Sequence, residues 1–253
     1  MTEAELYPWL IGGLFVWAGF TFVSLSTYVT APYGRHTRAG WGPTVGSRTG
    51  WILMEAPALL TFPIVFALGD HALEPGALAL LALWCTHYVW RAGVYPLRLR
   101  APAKPMPLVI VALGGVSNVL TGYLNARYVS HFHVYGADWL VDPRFLAGAT
   151  LFVLGRAINH RADATLLRLR RPGETGYRIP YGGLYRWVSC PNYLGEIVEW
   201  SGWALATCSW AGVAFAVYTF ANLAPRAGLN HRWYRATFPD YPPDRRALVP
   251  FVW

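Results

Sequence analysis

Charge is scarce in this chain. Only 13% of its 253 residues are Asp, Glu, Lys or Arg, about half the share of an ordinary soluble domain, which argues against a surface that faces water on all sides. Cysteine is nearly absent as well. Cys85, Cys190 and Cys208 share no paired spacing, so neither a disulfide framework nor a zinc site follows. There is no HExxH stretch and no GxGxxG after a strand-like run, which removes the zincin and Rossmann readings. A GxSxG elbow is missing too, and with it the support for a Ser–His–Asp hydrolase. No internal repeat is evident, which counts against transporters built from duplicated halves. Lysine occurs once, at Lys104, against 20 arginines, a bias that fits a GC-rich bacterial genome. The first residues carry Glu3 and Glu5 and no basic run, so a cleaved signal peptide is not expected.

What is abundant is apolar surface, 55% of the residues, arranged in runs near the ~20 residues needed to cross a bilayer. Spans are expected over 8–30, 50–69 (broken by Pro57 and Pro63), 77–96, 107–126 and 145–160. The run 194–223 overshoots a bilayer and divides near Ser209-Trp210 into a sixth and a seventh span. The expectation is an all-α, multi-pass membrane protein: seven transmembrane helices in one domain over 1–253, with most ligand-binding motifs after about residue 107. With the N-terminus outside and the C-terminus cytoplasmic, 19 of the 21 basic residues fall on cytoplasmic segments, leaving only Arg127 and Arg144 outside. That is the orientation basic residues mark, in the inner membrane if the source is bacterial. The net charge of +8 therefore reports orientation, and no nucleic-acid partner is expected.

The residues that stand out are polar ones in apolar company. Glu55 lies inside the second run, either paired to an arginine or available as a neutral acid that donates to a carbonyl oxygen. His87, Tyr88, Arg91 and Tyr95 share the third run; Tyr88, Arg91 and Tyr95 lie on one stripe, either an aromatic packing face with a snorkelling arginine or a phenol turned into a cavity. Between Asn159 and Trp200 comes the densest polar stretch of the chain. Arg168, Arg170, Arg171 and Arg178 are either cytoplasmic anchors or, with the Gly182-Gly183 turn, a grip for a pyrophosphate. Asn159, Asp163, Asn192, Glu196, Glu199 and Trp200 are too many amides and carboxylates for a lipid-facing bundle, since buried polar groups must be paired. Glu196 and Glu199, three apart, are expected on one helix face and lack histidines at metal-site spacing, so no metal is expected.

At these residues the sequence resembles the steroid 5α-reductase family. The similarity runs almost end to end, through YGRHT (33–37), WILMEAP (51–57), HYVWRAGVY (87–95) and NHRAD (159–163). Its most specific strings are LRRPGETGYRIPYGGLYRWVS, NYLGEIVEWSGWALATCSW and DRRALVPFVW. The resemblance implies a seven-span, monomeric enzyme that uses NADPH to reduce the Δ4 double bond of 3-oxo steroids. It implies that Glu55 and Tyr88 hold the steroid 3-keto oxygen. It further implies that Asn159, Asp163, Arg170, Tyr177, Arg178, Asn192, Glu196 and Trp200 surround the dinucleotide, with Tyr33, Tyr95, Arg100, Asn230 and Tyr234 as further contacts. Met54 stands where relatives often have Gln, and Asn230 where a relative has His. The competing readings are an isoprenylcysteine-type S-adenosylmethionine methyltransferase, a reductase of another sterol, polyprenol or enoyl lipid, and a lipid-binding or transport protein. The first needs no arginines for phosphates and gives Glu55 and Tyr88 no role.

Overall fold

The structure, a computed structural model, describes residues 1–99, 104–169, 174 and 176–253. It is helical: α1 (Glu3–Val23), α2 (Ser47–Ala67), α3 (Pro75–Tyr88), α4 (Tyr95–Arg98), α5 (Leu108–Arg127), α6 (Pro143–Arg168), α7 (Pro191–Thr207) and α8 (Trp210–Thr237). A π turn over Val89–Val94 joins α3 to α4 in one rod, so the described residues form seven long helical rods. Three of these, Glu3–Tyr28, Ser47–Ala67 and Leu108–Phe132, are long and apolar enough to cross a membrane.

Local chemistry explains the breaks. Pro96 has no N–H and crowds the carbonyl four residues back, and the turn ahead of it is the widened π segment. The long apolar run near the C-terminus divides at Cys208, whose left-handed backbone (φ 45) ends α7, while the Ser209 hydroxyl accepts from Gly212 N–H and caps α8. By contrast α2 runs on through Pro57 and Pro63. The seventh apolar run also extends as helix to Thr237, through Pro225 and well into the basic tail.

The closest helix pair is α6 with α7. A Cβ at Gly155 would lie 2.3 Å from the Glu199 nitrogen, and one at Gly195 would lie 2.5 Å from the Asn159 nitrogen. Backbone meets backbone there, as small residues permit, and Asn159 is brought against α7. Aromatic residues fill the core beside this pair: Phe62, Trp84, Phe152, Trp200, Trp203 and Phe215. Buried polar tips in it are satisfied. Trp84 Nε1 donates to the Ala58 carbonyl at 3.1 Å and Trp203 Nε1 to Asn125 Oδ1 at 2.7 Å. Two short pairings pin the loops. Thr44–Val45 pairs antiparallel with Met106–Pro107, and the tail lies along the segment before α7 through Val188 and Arg246.

Candidate active site

A cavity of about 380 Å³ opens among α2, α3, α5, α7 and α8 and the loop before α2. One end is acidic. Arg91, on the π turn, points inward, with its guanidinium 3.6 Å from Glu55, 3.5 Å from Glu196 and 3.9 Å from Asp163. It also lies 4.7 Å above Trp51 and 5.4 Å from the ring centre of Tyr95. The snorkelling alternative for Arg91 does not hold, because the side chain is buried among three carboxyl groups. Tyr88, Arg91 and Tyr95, expected on one stripe, all line this cavity.

Asn118 of α5 bridges the two residues expected at a keto oxygen. Its Nδ2 donates to the Met54 carbonyl at 2.7 Å and to Glu55 Oε2 at 3.3 Å, while Tyr88 Oη donates to its Oδ1 at 3.5 Å. Two of these three bonds are long and easily exchanged for a ligand. Glu55 is 8% and Tyr88 2% exposed, so any donor here acts in a water-poor pocket.

Asp163, Asn192 and Glu196 line the acidic end together. Asn192 Nδ2 donates to Asp163 Oδ1 at 3.1 Å. Asn159 stands behind them, off the wall, where its Nδ2 donates to the Asn192 carbonyl at 3.0 Å and to Glu196 Oε2 at 3.5 Å. Trp200 closes the inner wall, packed on His87, Tyr88 and Phe215. Glu196 and Glu199 part company. Glu199 turns from the cavity to His87 Nδ1 at 2.8 Å, with Arg156 at 3.7 Å, because positions three apart are still ~60° apart around a helix.

The other end is basic and aromatic. Arg35 lies over the rings of Tyr177, Trp233 and Tyr234 at 5.5, 4.8 and 4.4 Å, and its Nη2 donates to Tyr234 Oη at 3.2 Å. Arg226 covers Tyr33 at 4.1 Å. Arg178 lines the cavity and pairs with Glu174 at 2.9 Å. Gly182 (φ 88) and Gly183 (φ 51) take the left-handed backbone of a tight turn. Asn230 receives His36 Nε2–H at 3.0 Å; burial holds this loop imidazole below its usual pKa. Arg100, Arg170 and Arg171 lie outside the described residues. Among the described residues no group of three His, Cys, Asp or Glu is placed to hold a metal ion.

The sequence reading missed Arg35, Arg91, Asn118 and Arg226 as site residues. Arg91 had a signal, since it lies three residues from Tyr88, and Arg35 sits inside the string YGRHT. Asn118 and Arg226 had none.

A family model described as 3-oxo-5-alpha-steroid 4-dehydrogenase matches residues 104–253. The chain belongs to that family. It is an oxidoreductase acting on CH–CH groups. It is 44% identical over 246 residues to the steroid 5-alpha-reductase DET2 of Arabidopsis thaliana, covering 94% of each chain. It is 43% identical to the 3-oxo-5-alpha-steroid 4-dehydrogenase 1 of Bos taurus, covering 88% of each. With the human enzyme of that name identity is 42%, over 87% of this chain and 85% of the relative. Family membership overturns the methyltransferase and the lipid-transport readings.

Proposed function

We propose that this chain is a membrane-embedded, NADPH-dependent reductase of the Δ4 double bond of 3-oxo steroids, giving 5α-dihydro products. The observation that carries the reading is the juxtaposition of Tyr88 and Glu55 around one amide, Asn118, beside the cluster of Arg91, Asp163, Asn192 and Glu196.

The basic end fits the phosphates of a dinucleotide. Among the described residues Arg35 Nη1 is buried without a hydrogen-bond partner, and an arginine stacked on three rings is a rigid fork for a phosphate. Asp163, Asn192 and Glu196 offer both donors and acceptors, as a carboxamide requires. NADPH, when bound, supplies a hydride to the β carbon of the enone. Negative charge then collects on the 3-oxygen, where the Tyr88 phenol and a protonated Glu55 each donate a hydrogen bond. Three carboxyl groups around one guanidinium favour keeping one of them neutral, since unpaired buried charge is costly. Each such donor is worth roughly 3–4 kcal/mol of barrier. The α carbon then takes a proton from water to complete the reduction. Arg91 holds Glu55 and Glu196 in register, and Trp200 walls the inner end of the cavity.

The seven rods are read as seven spans, with the basic end of the cavity toward the cytoplasm. The test is to incubate purified protein with progesterone or testosterone and NADPH and to weigh the product. A gain of two hydrogens at the Δ4 bond is expected; unchanged steroid with bound NADPH would sink the assignment.

A further inference from the structure

His87 stands one residue before Tyr88 in the wall of the cavity, and the hydrogen bonds to the 3-oxygen leave it without a task. Its ring is 5% exposed and wedged edge to face against Tyr88 and Trp200, with ring centres 4.9 and 4.6 Å away. Nδ1 is taken by Glu199 Oε1 at 2.8 Å. An ionised carboxylate can only accept, so Nδ1 donates. Among the described residues Nε2 has no hydrogen-bond partner, yet it is not a sealed atom. His87 lines the cavity, so this second nitrogen opens into it.

The support behind the ring is charged. Glu199 is 1% exposed, and the Arg156 guanidinium lies 3.7 Å from it. Arg156 Nη2 also donates to the carbonyl of Thr86, the residue before His87. A guanidinium keeps its proton, so the part of Arg156 is to keep Glu199 ionised. A carboxylate at Nδ1 orients the ring and stabilises an imidazolium. Imidazole is also the side chain that exchanges protons near neutrality. Trp84, Asn118 and Trp200, which pack on or bond to Tyr88, have no proton to give.

We propose that His87, backed by Glu199, is the group that hands over the proton the α carbon draws from water. The proposal rests on the enone-reductase reading. Once hydride has reached the β carbon, the electron pair of the old double bond is shared between the α carbon and the 3-oxygen. Tyr88 and Glu55 hold that oxygen, and the α carbon is two bonds from it, so the neighbour of Tyr88 is placed beside the carbon. The Nε2–H bond breaks, a C–H bond forms at the α carbon, and the ketone is restored. His87 is left neutral and takes its next proton from water after product leaves.

The test is the face on which the new hydrogen arrives. Purified full chain is given a 3-oxo-Δ4 steroid and NADPH in deuterium oxide, and the product is read at short times, before the ketone's own exchange. The wild type should place deuterium on one face of the α carbon. His87→Gln keeps a donor for Glu199 but has no proton to transfer. It is expected to lower kcat about 10²-fold or more, with NADPH affinity within about twofold, and to leave deuterium on both faces as the enol escapes and ketonises in water. Glu199→Gln, which keeps an acceptor and removes the charge, should move both readouts the same way and serves if His87→Gln does not fold. Deuterium confined to one face in both variants would overturn the proposal whatever their rates, leaving the pair a tie between α3 and α7. Failure of the reductase reading shows separately, as a wild-type protein that returns the enone unreduced and unlabelled.

Discussion

Arg91 and Glu196 face each other at 3.5 Å across the cavity, one on the π turn after α3 and the other on α7. The same guanidinium lies within 4 Å of Glu55 and Asp163, so one cation ties α2, α6 and α7 to its own rod. Arg91→Ala is expected to destabilise the protein by about 3–5 kcal/mol, since removing one partner leaves buried charge uncompensated. Arg91→Lys should recover only part of this, because a compact ammonium cannot fork toward three carboxyls. Thermal unfolding in detergent measures both. A melting temperature for Arg91→Ala within about 2 °C of wild type would show that the carboxyls do not need the cation.

Glu55→Ala and Tyr88→Phe should each cut turnover roughly 10²–10³-fold while NADPH still binds, as loss of one oxyanion donor does. Asn118→Ala frees both donors from their shared amide and should lower turnover with either group still present. Single-turnover rates at saturating steroid and NADPH separate these from binding defects. Near-full activity in both Glu55→Ala and Tyr88→Phe would remove the keto-oxygen assignment.

Arg35→Ala should weaken NADPH about tenfold or more, with Arg35→Lys only slightly better, since the rings of Tyr177, Trp233 and Tyr234 stack on a plane and not on a point charge. From its place in the sequence, Arg170→Ala is expected to weaken NADPH far more than NADH. Equilibrium titration with both cofactors decides the pair. Equal loss with both in Arg170→Ala would leave the 2′-phosphate without an assigned partner.

Gly195→Ala should harm folding and cofactor affinity together. Its Cβ meets the Asn159 nitrogen and the Gly155 carbonyl, so the helices must separate, at a typical overpacking cost of about 1–3 kcal/mol. The bonds from Asn159 to Asn192 and Glu196 cross the same contact. Melting temperature and NADPH affinity should therefore fall in step, and a change in only one would argue against this coupling.

Much of this was legible in the sequence, for physical reasons. A 30-residue apolar run overshoots a bilayer, which placed a break near Ser209-Trp210, and the helices part beside it at Cys208 and Ser209. Polar residues amid apolar ones marked Glu55, Tyr88, Asp163, Asn192 and Glu196, and these line one cavity. The stripe of Tyr88, Arg91 and Tyr95 does face the cavity, but the partners of Arg91 were not legible, because Glu55, Asp163 and Glu196 reach it from three other helices. Nor was the parting of Glu196 and Glu199, which depends on where α3 and α6 stand around α7. Asn118 looked like one more residue of an apolar helix until α2 was laid against it.

The widened turn at Val89–Val94 has a bearing on how this chain tolerates change. Each residue of a regular helix advances the next by about 100°, so shortening the turn by one residue would restore α geometry and swing everything after it. Tyr95 would leave Trp51, and Pro96 and Leu99 would lose the Arg48 side chain that now ties down their carbonyls. A one-residue deletion there is thus a rotation of a whole wall, whereas a substitution at an exposed position such as Val89 is a local matter.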